Sequence, residues 1–146
     1  MVDVRTEIII HCPREKVASY AADPDHAPEW YVNIKSVEWR TQKPLAVGSE
    51  IAFKAHFLGK ELAYVYRVNA FEQGRSMIMA TADGPFPMET TYTWESVDSQ
   101  TTRMTLRNRG NPSGFSVLFS PIMAFMMRRA NNKDLKKIKR LLEQSA

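Results

Sequence analysis

Nowhere do the 146 residues approach the roughly 18–20 consecutive apolar residues that a helix needs to cross a bilayer. The N-terminal MVDVRTE also lacks the charged-then-apolar pattern of a secretion leader. A cytoplasmic location is therefore expected. The one cysteine, Cys12, excludes an internal disulfide. Histidines are scarce and scattered, at positions 11, 26 and 56. His11 and Cys12 are adjacent, and on a strand adjacent side chains point to opposite faces, so no metal site is expected. No cofactor is expected either. Repeats, low-complexity runs and linkers are also missing, and the length suits one domain, residues 1–146, with a core of its own.

What is present is ordinary for a folded domain: 44% hydrophobic and 25% charged residues, far from the composition of disorder. The net charge of +4 is unevenly placed. From residue 121 onward, seven basic residues face two acidic ones, whereas the first 120 residues hold 13 basic and 14 acidic.

The chain opens with a β-branched run, Val4 to His11, that reads as a strand. Pro13 suits the first turn of a short helix through EKVASYAA. Asp23-Pro24 repeats the device, with Asp23 as cap, and leads to the aromatic pair Trp30 and Tyr31. The period then changes to two. Ile34 to Arg40, Ser49 to Phe57, Leu62 to Val68, Arg75 to Ala82, Phe86 to Val97 and Thr102 to Arg109 alternate as half-buried antiparallel strands, joined by turns such as Leu58-Gly59-Lys60 and Glu72-Gln73-Gly74. Asn111-Pro112-Ser113-Gly114 ends the sheet, and a turn or two is expected over Phe115 to Phe119. From Pro121 to Glu143 apolar residues recur at spacings of three and four, a helix of roughly 35 Å at 1.5 Å per residue. It is long enough to cover the apolar face of a seven-stranded sheet.

This order resembles the helix-grip fold of the START and birch-pollen-allergen superfamily (START/Bet v 1-like, SRPBCC), an α+β architecture. The resemblance spans the chain and is carried by HCPREKVASYAADPDHAPEWYVNIKSVEW, YRVNAFEQGRS, GPFPMETTYTWE and KDLKKIKRLLE. Together these are most similar to the bacterial polyketide cyclase/dehydrase-like branch. The resemblance implies a curved sheet gripping the long helix, with a cavity between them for a lipid, aromatic or polyketide-like molecule. It does not imply catalysis, because such folds host carriers as well as cyclases.

If the cavity is present, alternation places Phe53, Tyr64, Tyr66, Met88, Thr90, Tyr92, Trp94, Met104 and Leu106 on the concave face, with Asn108 beside them. The helix is expected to add Phe119, Met123 and Met126, with Met127 left open. A filled core is the competing reading of such a face. Three tyrosine hydroxyls and Thr90 favour a cavity, since each needs a partner when buried and water or ligand can supply it. Met77, Met79, Met88, Met104, Met123, Met126 and Met127 fit either gap filling or an adaptable wall. No His, Asp, Glu, Lys or Arg is expected on this inner face, which favours binding over catalysis and leaves no catalytic residue to name. A cyclase or dehydratase using Tyr and Asn donors is the alternative. The expected partner is a small hydrophobic ligand, not nucleic acid, since the basic tail lacks aromatic residues for stacking. Lys133, Lys136, Lys137 and Arg140 read first as a solvated face and second as a surface for anionic membrane. The sequence leaves the oligomeric state open.

Overall fold

The computed structural model describes residues 2–57, 59–83, 87–110 and 120–144. Seven strands form one antiparallel sheet: β1 (Val2–Ile10), β2 (Ile34–Trp39), β3 (Glu50–Phe57), β4 (Lys60–Glu72), β5 (Ser76–Asp83), β6 (Met88–Asp98) and β7 (Thr101–Gly110). The spatial order is β1-β7-β6-β5-β4-β3-β2. Strands two to seven are a meander in which each hairpin partner is the next strand in the chain. β1 closes the far edge on β7, with Val4 opposite Asn108 and Ile8 opposite Met104. Gly59 and Gly74, at φ of 77° and 80°, take the left-handed conformation that their hairpin turns require.

Two short helices, α1 (Arg14–Ala22) and α2 (Ala27–Trp30), follow β1, and α3 (Ser120–Gln144) ends the described chain. Pro13 stands just ahead of α1 as its cap, not inside the first turn, because its ψ of 144° is extended. Asp23 caps the 3-10 turn at Pro24–His26 as the sequence indicates, its carboxylate accepting from the Asp25 N–H at 3.0 Å. Asp25 in turn accepts from Trp39 Nε1 (2.8 Å) and Lys43 Nζ (2.6 Å), tying this turn to β2.

β4 runs beyond the Leu62–Val68 read from alternation. The register shifts between Val68 and Ala70, so the period of two breaks at Asn69 although the strand continues. The turn expected over Phe115 to Phe119, and Phe86 at the start of the sixth strand, lie outside the described residues.

The sheet's two faces divide as alternation requires. Arg67 forms two hydrogen bonds to Glu50 Oε2 and Arg107 pairs bidentately with Asp3, all partly exposed on the outer face. Among the described residues the inner face carries three apolar regions; one packs Ile51 and Phe53 of β3 with Ala27 of α2, and the other two involve α3. The larger of these two joins Ile10, Trp30, Val68, Trp94, Met104 and Leu106 to Leu135, Ile138 and Leu142 of α3. The smaller packs Met123 and Met127 of α3 on Val2, Val4 and Met88. At its end α3 is pinned to β1: Glu143 accepts from the His11 N–H (2.8 Å) and Lys139 donates to the Ile9 carbonyl (2.9 Å). No helix among the described residues is long and apolar enough to cross a membrane.

Candidate functional site

Between the two apolar regions that involve α3, the sheet and the helix stand apart around a cavity of about 160 Å³. Its floor is built by cross-strand neighbours. Phe53 lies opposite Tyr64, Met77 opposite Tyr92, and Met79 and Asn108 on either side of Thr90. Ala55, Leu62, Tyr66 and Met88 complete the strand side. The short helices and the loop after them close the β2–β3 side with Ala21, Ala22, Pro24, Ala27, Tyr31 and Ile34, and α3 roofs it with Met127, Ala130, Asn131 and Asp134. These α3 positions follow one another by three, one and three residues, which places them on one helical face.

The aromatic walls support one another. The Phe53 and Tyr66 rings meet edge to face (5.8 Å, 70°), and Tyr92 stacks on Trp94 (5.9 Å, 1°). Trp30 lies against Tyr31 at 4.0 Å. The hydroxyls find partners inside the protein: Tyr31 and Tyr92 share a hydrogen bond, and Tyr66 bonds to Thr90, whose Oγ1 donates to Asn108 Oδ1 at 2.7 Å. Burial raises the pKa of Tyr31, Tyr66 and Tyr92 well above the ordinary phenol range and pushes that of Tyr64 up to about 12. All four are neutral at physiological pH. They act as dipoles, not as bases.

Two carboxyls interrupt the otherwise uncharged described lining, Asp23 at the turn after α1 and Asp134 on α3, and the second is the buried one. Only 3% exposed, it is pushed up to about 7 by desolvation, against the opposing pull of the Val32 N–H that Oδ1 accepts at 2.8 Å and of the Lys137 charge. Asn131, one turn earlier, is 5% exposed and its Nδ2 has no hydrogen-bond partner among the described residues. Among the described residues no three His, Cys, Asp or Glu side chains converge as a metal site would need.

Seven residues read from the sequence line this cavity: Phe53, Tyr64, Tyr66, Met88, Thr90, Tyr92 and Asn108. Met104 and Leu106 do not. Both are fully buried under the C-terminal half of α3, opposite Trp94 and Tyr92, where Leu135, Ile138 and Leu142 fill the space. Met123 is buried on Val2 and Val4, half-buried Met126 is not part of the lining, and Met127 takes the place expected of them. Phe119 lies outside the described residues. Among the described residues the sheet's side of the cavity carries no His, Asp, Glu, Lys or Arg, as expected, and the buried carboxyl that sequence reasoning missed, Asp134, reaches the cavity from α3. Sequence reasoning also missed Asn131, and it named Tyr31, Met77 and Met79 without placing them at the site. Lys133, Lys136 and Arg140 are exposed, as a solvated face requires.

A curved antiparallel sheet closed by one long helix, with an apolar cavity between them, defines a helix-grip protein of the START-like class. The chain belongs to the family described as polyketide cyclase/dehydrase and lipid transport, whose model matches residues 1–143. Solved structures share the fold across nearly the whole chain. A START superfamily protein from Mycobacterium smegmatis superposes with a TM-score of 0.86 at 12% identity, covering 99% of both chains. TTHA0849 from Thermus thermophilus gives 0.84 at 17%, again covering 99% of both. The Zhui aromatase/cyclase from a Streptomyces species gives 0.82 at 12%, covering 97% of this chain and 93% of that one. At such identities the likeness concerns the fold alone. Among curated proteins none matches.

Proposed function

We propose that this protein binds a small apolar, ring-containing molecule in the cavity between sheet and α3. The observation that carries the reading is the cavity: about 160 Å³, walled mainly by aromatic, methionine and alanine side chains, inside a fold that elsewhere packs its core closely. Its volume suits one ring, since an apolar protein cavity of about 150 Å³ accepts benzene. Phe53, Tyr66, Met79, Met88 and Tyr92 supply contact area, while the paired hydroxyls keep the wall rigid. Native mass spectrometry of gently purified protein, followed by thermal shifts with single-ring compounds, tests this. A stoichiometric apolar adduct, or a rise in Tm that Ala130→Leu abolishes by filling the roof, is expected. If no ring compound raises Tm at any soluble concentration, the reading fails.

One observation favours a second reading, a cyclase- or dehydratase-type enzyme. A carboxyl with a pKa near neutrality inside a ring-sized cavity can take a proton from the carbon beside a carbonyl, and Asn131 Nδ2 and the tyrosine hydroxyls can donate to the developing oxyanion. Loss of turnover of small polyketide-like substrates in Asp134→Asn, with binding retained, separates this reading from simple binding.

A further inference from the structure

We propose that Asn131 and Asp134 form the polar end of the cavity and select a neutral, ring-sized ligand through a single hydroxyl, and that they reject carboxylates. The inference rests on the binding reading above and adds which chemistry the cavity accepts.

Both side chains line the cavity and both are at least nine-tenths buried. Each has hydrogen-bonding capacity that the described residues leave unused. Asn131 Nδ2 is a buried donor without an acceptor. Asp134 accepts the Val32 N–H through Oδ1, while among the described residues no donor pairs with Oδ2. Buried polar groups in folded proteins are nearly always satisfied, so an unmade pair facing a cavity points to what enters it. The two residues stand three apart on α3, where Cβ atoms are about 5–6 Å from each other. A hydroxyl oxygen accepting at about 2.9 Å from one and donating at about 2.7 Å to the other spans that gap. A hydroxyl is also the smallest group that both donates and accepts. An ether could answer Asn131 alone, and an ammonium would set its own N–H bonds against those of Asn131.

Charge decides the second half. Among the described residues the cavity lining contains no Lys, Arg or His. A carboxylate or phosphate on the ligand would be desolvated beside Asp134 with no cation to offset it. The upward displacement of Asp134 shows that the site already disfavours one negative charge. Fatty-acid anions are therefore poor ligands, and ring alcohols or phenols are good ones.

The test is a titration of the full chain at pH 8 with phenol, anisole, toluene and benzoate, followed by backbone and side-chain amide NMR. Toluene reports the cavity itself, anisole removes only the donor, and benzoate carries the charge. Phenol is expected to bind about tenfold tighter than anisole or toluene. It should also move the Asn131 side-chain amide resonance, while benzoate should leave the cavity signals in place. Asn131→Leu and Asp134→Asn should each bring the preference for phenol over toluene below about threefold. Equal affinity for phenol and anisole, benzoate binding as well as phenol, or variants that keep the preference would overturn the proposal while the binding reading stands. If none of the four compounds, toluene included, shifts a cavity resonance, both fail together.

Discussion

Replacing Asp134 by Asn should stabilise the protein at alkaline pH and leave it nearly unchanged in acid. Desolvation raises the Asp134 carboxyl from its ordinary 3.8 to about 7, so the folded chain holds a proton there that the unfolded chain has already released. Stability then falls as pH rises from about 4 to about 7, by up to 1.36 kcal/mol per pH unit, and levels off above that. The full difference is about 4 kcal/mol, net of the opposing pulls of the Val32 N–H and Lys137, and an upper figure because relaxation of the site and entry of water soften the cost of a buried charge. An amide oxygen still accepts the Val32 N–H, giving back about 1 kcal/mol of charge-assisted hydrogen bonding. The net expectation for Asp134→Asn at pH 8 is a gain of about 3 kcal/mol, or roughly 6–12 °C in Tm for a chain of this size. Asp3, Asp25, Asp98 and Glu143 have lowered values, so their contributions are lost as pH falls through the acid range. These are common to both proteins and cancel in the difference. Tyr31 and Tyr92 stay neutral throughout the window. Urea unfolding followed by tryptophan fluorescence at pH 4.5, 6 and 8 measures the curve. A variant no more stable than the parent at pH 8, or a stability difference that does not grow between pH 4.5 and 8, would refute the reasoning.

Other substitutions test the placement of the walls. Met104→Arg or Leu106→Arg should abolish folding and not merely ligand uptake, with more than about 4 kcal/mol lost, because both positions are fully buried in the main core; native far-UV circular dichroism in either would show that the core has been misplaced. Gly110→Ala should destabilise by about 1–3 kcal/mol, since its Cβ would lie 2.6 Å from the Pro87 carbonyl oxygen and press on Met88 at the cavity edge; an unchanged urea midpoint would count against that close approach. Tyr66→Phe should cost about 1 kcal/mol by ending the Tyr66–Thr90–Asn108 chain while Thr90 keeps its bond to Asn108; a loss above about 3 kcal/mol would mean that the hydroxyl holds more than this chain.

The sheet was legible because its signal is local. Alternation in Ser49 to Phe57 and in Phe86 to Val97 assigned both strand and face, and seven predicted lining residues reach the cavity for that reason. Where the cavity ends along each strand depends on how closely α3 approaches the sheet, which no strand encodes. Met104 and Leu106 share the face of Tyr92 yet lie under Leu135 and Ile138, so the same alternation yields packed core at one end of β7 and cavity wall at the other, where Asn108 stands. The break at Asn69 shows the same limit, since a bulge defeats a period of two without ending the strand.

Asn131 and Asp134 went unread for a different reason. The buried positions of α3 run Met123, Met127, Asn131, Asp134, Leu135, Ile138 and Leu142, steps of three and four apart from the adjacent pair Asp134 and Leu135, and they trace one stripe. A stripe drawn from apolar residues alone steps over the two polar members and leaves them with Lys133 and Lys136 on the wet side. The signal was a polar gap within the stripe, flanked by Met127 one turn before and Ile138 one turn after. Such a gap opposes stability: a buried carboxyl and an unpaired amide are both costly, and apolar residues of similar size would hold α3 to the sheet more firmly. A chain that places both at the cavity between sheet and helix has its local rules broken there, and a functional site is where that conflict between packing and sequence is expected.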